Sequence, residues 1–155
     1  MAISAADMTV TVTEAVPLKG AARGNTNTYT ISNIHEVSER TITVPITEVE
    51  IIAMHDSAVS SGTFVEGDVR YIRITNKDAN NHITLAFKGE NDEEFAIKVD
   101  KGQSFIYNAD LDNGVVDTMV AASGAVDITS LVDLVNITAT ANTAACDVEI
   151  IVACV

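Results

Sequence analysis

The stretch Tyr71-Ile72-Arg73-Ile74-Thr75, then Asn76-Lys77-Asp78-Ala79-Asn80-Asn81, then His82-Ile83-Thr84-Leu85-Ala86-Phe87-Lys88, decides the fold class. Ile72 and Ile74 point one way and Tyr71, Arg73 and Thr75 the other. After six turn-forming residues, Ile83, Leu85 and Phe87 again alternate with polar or small neighbours. Successive side chains of a strand alternate between faces, so this period of two marks half-buried β-strands. Gly89-Glu90-Asn91-Asp92-Glu93 has turn composition, and Phe95, Ile97 and Val99 resume the alternation. Asp100-Lys101-Gly102 leads into Gln103-Ser104-Phe105-Ile106-Tyr107. Four strands joined by three short turns read as an antiparallel meander.

The same period extends outward in both directions. Met8, Val10 and Val12 alternate with Thr9, Thr11 and Thr13, and Tyr29 and Ile31 with Thr28 and Thr30. Ile42, Val44 and Ile46 alternate with Thr41, Thr43 and Pro45, the proline marking an edge or bulge. Val49, Ile51 and Ala53 follow. Towards the C-terminus, residues 115–120 and 134–140 read as strands. One short helical turn is expected near 128–133, where Ile128, Leu131, Val132 and Val135 fit helical spacing behind Asp127. The last strand sets Cys146, Val148, Ile150, Val152 and Cys154 on one apolar face. Its other face carries Asp147 and Glu149, then Ile151, Ala153 and Val155. About ten short strands without αβ alternation predict an all-β chain, an antiparallel, jelly-roll-like β-sandwich. Residues 1–7 are expected to form an N-terminal arm and residues 8–155 a single domain.

Composition supports this and narrows function. Val, Ile and Thr make up about a third of the 155 residues, a bias suited to pleated surfaces. Hydrophobic residues reach 47%, too many for a disordered chain, yet no apolar run approaches the roughly 20 residues of a membrane helix. The net charge of −13 opposes nucleic-acid binding, because phosphates would be repelled. Residues 1–7 lack the basic and apolar regions of a secretory signal, so synthesis and retention in a cytoplasm are expected. Cys146 and Cys154 sit eight residues apart on one strand, about 26 Å at ~3.3 Å per residue. A disulfide needs Cα atoms within about 7 Å, so two buried free thiols are expected.

No residue pattern carries a recognisable chemistry. His35, His55 and His82 are scattered and share no metal-ligand spacing, so neither a metal nor a cofactor is expected. His35-Glu36 and His55-Asp56 each place a base beside a carboxylate, with Ser57, Ser60 and Ser61 near the second pair. There is no Gly-x-Ser-x-Gly, and turn-forming serines account for the cluster. Asn108-Ala109-Asp110-Leu111-Asp112-Asn113-Gly114 begins like a calcium loop, but Asn113 and Met119 stand where an EF-hand needs Gly and Glu. Asp110 and Asp112 are the only candidate calcium ligands there, and a solvated turn is the expectation. Lys19-Gly20-Ala21-Ala22-Arg23-Gly24-Asn25 is too poor in glycine and hydroxyl to cradle a phosphate. Asn136-Ile137-Thr138 is a glycosylation sequon without meaning in a chain that is not secreted. A catalytic site is not expected.

Residues 71–78, Ile83-Thr84-Leu85 and the run from Phe95 to Phe105 together resemble small β-rich virion proteins of tailed bacteriophages, those of marine and cyanobacterial phages most closely. The ending Val148-Glu149-Ile150-Ile151-Val152-Ala153 is similar in style, and the resemblance spans roughly the last 90 residues. It implies a non-enzymatic structural protein of the virion, such as a capsid decoration (cement) protein. Such a protein works as a symmetric homo-oligomer, here expected to be a trimer, against the major capsid protein or other virion proteins. A tail or fibre component and a carbohydrate-binding β-sandwich are the alternatives, followed by a small jelly-roll hydrolase. Aromatic content of 5% and the absence of Trp count against sugar platforms. An interior head position would set −13 against packed DNA, so the outer surface or the tail is expected. The half-apolar second face of the last strand is expected to be a contact between subunits.

Overall fold

The computed structural model of the protein describes residues 4–57, 62–120 and 131–155. Its strands are β1 (Ala6–Thr13), β2 (Val16–Leu18), β3 (Ala21–Arg23), β4 (Thr26–Ile34), β5 (Glu36–Val44), β6 (Val49–His55), β7 (Thr63–Val65), β8 (Val69–Asn76), β9 (Ile83–Gly89), β10 (Glu94–Val99), β11 (Ser104–Asn108), β12 (Met119–Val120), β13 (Leu131–Val132), β14 (Leu134–Ala141) and β15 (Cys146–Cys154). The expected ten strands are thus fifteen segments among the described residues, because several are only two or three residues long. Among the described residues one 3-10 turn, Glu66–Asp68, joins β7 to β8.

The chain is an all-β sandwich. One sheet runs β10-β9-β14-β6-β7 and the facing sheet β11-β8-β15-β5. Among the described residues every pairing in these two sheets is antiparallel except β6 with β7. The inward rows follow the alternation of the sequence. Ile83, Leu85 and Phe87 of β9 and Ile137 and Ala139 of β14 meet Ile72 and Ile74 of β8 and Val148, Ile150 and Val152 of β15. Each of these is buried to 2% exposure or less. Cys146 and Cys154 close the ends of the β15 row, buried and unpaired as expected.

The meander is not formed. β9 and β10 make a hairpin in one sheet, but β8 and β11 pair with each other in the opposite sheet. The residues after β8 therefore form a crossing between sheets, not a hairpin turn. Asn76 governs it from full burial. Its Nδ2 donates to the carbonyls of Asn81 and Val99, and its Oδ1 accepts from the Asp78 amide. Alternation identifies a strand and its buried face but carries no information on which strand lies beside it.

Three smaller expectations are also corrected. Only Met119–Val120 of residues 115–120 is strand; Val115 lies in a turn region where its amide bonds the Glu66 carbonyl. The helical turn near 128–133 is absent over Leu131–Val132, which pair as β13 with β12, and residues 128–130 lie outside the described residues. The strand through Pro45 stops at Val44, although β5 is an edge strand as the proline implies.

Candidate functional site

The feature that departs most from a closed sandwich is at the N-terminal end. β1 and β4 pair continuously from Thr9↔Thr30 to Thr13↔Thr26, and β2 and β3 continue in the same register from Val16↔Arg23 to Leu18↔Ala21. The Glu14 amide bonds the Asn25 carbonyl between them. The two pairs are one long hairpin closed by Lys19-Gly20, both at positive φ (51° and 78°), as the tightest hairpin turns require. Gly24 has φ +116°, and a Cβ there would lie 2.0 Å from the Glu14 carbonyl oxygen. Only glycine lets the strands approach so closely at the junction of the two halves.

The hairpin has two unlike faces. Thr9, Thr11 and Thr13 oppose Thr30, Thr28 and Thr26, a polar ladder with hydroxyl contacts of 3.2 Å at Thr11–Thr28 and Thr13–Thr26. The other face carries Met8, Val10, Val12, Val16 and Leu18, opposite Ile31 and Tyr29 at its base. That base packs on the outer face of the β8–β15 sheet, where Val10, Ile31, Ile34, Tyr71 and Ala153 form a second small core with Met8, Tyr29, Ile151 and Val155 around it. The Tyr29 hydroxyl donates to Asn108 Oδ1 at the rim. The outer face of β15, read as free for another subunit, is therefore covered by the chain's own hairpin. The expected arm also shifts. Ala6 and Asp7 belong to β1, Ser4 and Ala5 are exposed, and residues 1–3 lie outside the described residues.

Beyond its base the hairpin leaves the sandwich. All residues from 11 to 28 are exposed, including Val16 and Leu18 at 53% each. At ~3.3 Å per residue this free part reaches roughly 20–30 Å. A two-stranded ribbon with open edges is marginal alone in water, so exposed apolar side chains on one suggest a surface to be covered.

The sequence candidates for chemistry are not brought together. His55 Nδ1 lies 2.6 Å from Asp56 Oδ1, but Ser57 Oγ bonds that same Asp56 oxygen at 3.3 Å and is not directed at the imidazole. Ser60 and Ser61 lie outside the described residues. The His35 amide bonds the Cys154 carbonyl, and the Cys146 thiol lies 4.0 Å from the His82 carbonyl, so the three histidines serve separate places. Asp110 Oδ1 accepts from the amides of Asp112 and Asn113 at 2.8 Å each, which holds its carboxyl below the usual carboxylate range. The Asp112 carbonyl accepts from Arg70 at 3.2 Å. This is a self-capped turn closed by the Asp110–Gly114 bridge. Among the described residues, no group of three or more His, Cys, Asp or Glu is placed to hold a metal. Gly114, at φ +66°, is required there, since a Cβ would sit 2.2 Å from the Glu66 carbonyl oxygen.

One ionisable site escaped the sequence reading. Glu66, on the 3-10 turn, is only 5% exposed and shares a cleft of about 360 Å³ with Asp133, Met54, His55, Asp56, Glu90 and Val135. Burial first, then the Asp133 charge, raises its carboxyl above the ordinary glutamate value. No spacing in the sequence links residues 66 and 133; β14 and the turn bring them together. Burial also pushes the Cys154 thiol up to about 12 and raises Cys146, so neither is a nucleophile. Neither a protein-family model nor any curated protein matches the chain, so its functional reading rests on the hairpin and the sandwich themselves.

Proposed function

We propose that the chain is a non-enzymatic structural protein of a tailed-bacteriophage particle, a decoration protein that binds and stabilises the outer surface of the head. One observation carries the reading. An acidic β-sandwich projects a two-stranded hairpin whose exposed apolar side chains, Val12, Val16 and Leu18, exceed what its own body covers. Such a device serves assembly more than chemistry. Its action is mass action: a protein that binds the assembled shell and not its separated subunits opposes disassembly. The resemblance of residues 71–105 to small virion proteins supports this setting. The charge of −13 favours an external position, away from packaged DNA.

The test is fractionation of purified particles, followed by rebinding of the isolated protein to stripped heads. Co-purification at a fixed ratio to the major capsid protein, with greater heat resistance of decorated heads, is the expected result. Recovery only with tails would replace the head by the tail, and absence from particles would overturn the reading.

A further inference from the structure

We propose that the free half of the hairpin binds a second copy of this chain, laying Val16 and Leu18 on the outer face of that copy's β5, beside Val37. The inference deepens the assembly reading above and rests on it for its setting. The contact itself is argued from three features of the chain.

First, the hairpin has already shown what it binds. Its base seats Met8, Val10 and Ile31 on Tyr71, Ile151 and Ala153, the outer face of the β8–β15 sheet. The free half continues that row in the same register with Val12, Val16 and Leu18, interrupted by Glu14. Second, that outer face is not fully covered. On β5, Val37 opposes Ala153 and Glu39 opposes Ile151, directly beside the base's footing, yet Val37 is 57% exposed. Among the described residues, β5 also ends its sheet. Third, the charges complement. The free part, residues 11–28, carries Lys19 and Arg23 and the single acid Glu14, +1, against −13 for the whole chain, so the remainder carries −14. Arg23 lies opposite Val16, and on the acceptor strand Glu39 shares the outer face with Val37, while Glu36 stands opposite Cys154 on the other face. Hairpins of different copies would repel through their basic tips, whereas a tip on β5 pairs opposite charges.

The test uses the full chain in sedimentation velocity between 1 and 100 µM. The expected wild-type result is concentration-dependent association. V16D/L18D should abolish it while the melting temperature stays put, since both residues are exposed and away from the sandwich core. K19E/R23E should weaken association by roughly tenfold or more, and adding E39K to it should restore association in part. A wild type that stays monomeric at 100 µM would overturn the proposal, as would association indifferent to V16D/L18D. Failure of the charge swap to rescue would overturn β5 as the acceptor. Head binding is scored separately. A monomeric V16D/L18D protein that still decorates stripped heads leaves the virion reading standing, and a self-associating protein absent from particles removes that reading alone.

Discussion

At the scale of single residues, burial suppresses the ionisation of two thiols and one carboxyl. Cys154, with its thiol pushed up to about 12, holds roughly one thiolate in ten thousand at pH 8. Cys146 is fully buried. A thiol reagent should therefore label neither in the folded protein and both after denaturation; stoichiometric labelling within minutes of the native protein would contradict their packing. Glu66 gives a second expectation. Its folded carboxyl is raised above the ordinary 4.5, so its contribution to stability is fully present below 4.5 and is lost as pH rises through the folded value. Glutamine mimics the protonated form and keeps a donor for Asp133. E66Q should therefore gain stability relative to wild type as pH climbs from 4 to 8, read as the difference between their urea midpoints. A constant difference across that range would show that Glu66 does not titrate in the fold. The sequence could not reveal this site, because Glu66 stands in a Gly-Asp context typical of a solvated turn and its partner is 67 positions away.

At the scale of elements, the hairpin and the sandwich are separate packing units. Ile31 is 2% exposed, but its core is the small one beneath the hairpin and not the one between the sheets. I31A should cost about 2–4 kcal/mol of hairpin attachment. Amide exchange checks this: protection should fall across residues 6–34 and remain in β8, β9, β14 and the inner part of β15. Uniform loss across both sheets would make the hairpin an integral part of one cooperative unit. G24A should disrupt the ladder only from Glu14 and Asn25 outward, because the clash is with the Glu14 carbonyl. The strands were legible because Ile, Val and Thr alternate so regularly, and the inward row of β15 was read residue by residue. Their partners were not legible. β8 and β11 find each other across an intervening hairpin, and the signal for that crossing is one buried asparagine, a residue type common in any turn. Lys19-Gly20 is equally unmarked, since its sequence beside Ala21-Ala22 has none of the Asn-Gly or Asp-Gly chemistry that signals tight hairpins.

At the scale of the whole molecule, charge sets opposing demands on folding and assembly. With 22 acids and 9 bases, most carboxylates lack a cation, and the close ion pairs among the described residues are few, such as Arg73–Glu149 at 2.6 Å and Lys88–Glu48 at 2.5 Å. Compaction brings the uncompensated carboxylates nearer to one another, so the folded state carries a repulsion that the extended chain relieves. Salt shortens the Debye length from about 10 Å at 0.1 M to about 3 Å at 1 M and screens this repulsion more than it weakens half-buried pairs. The melting temperature should therefore rise between 20 mM and 500 mM NaCl, by about 2–4 °C if about 1 kcal/mol is recovered. The contact between the basic hairpin tip and an acidic second copy joins opposite charges across a solvated rim, so the same salt should weaken it. Calorimetry and sedimentation on one salt series read the two effects with opposite signs. A melting temperature that falls with salt would mean that the few specific ion pairs outweigh the general repulsion. Association that strengthens with salt would mean that Val16 and Leu18 hold the contact and that Lys19 and Arg23 do not guide it.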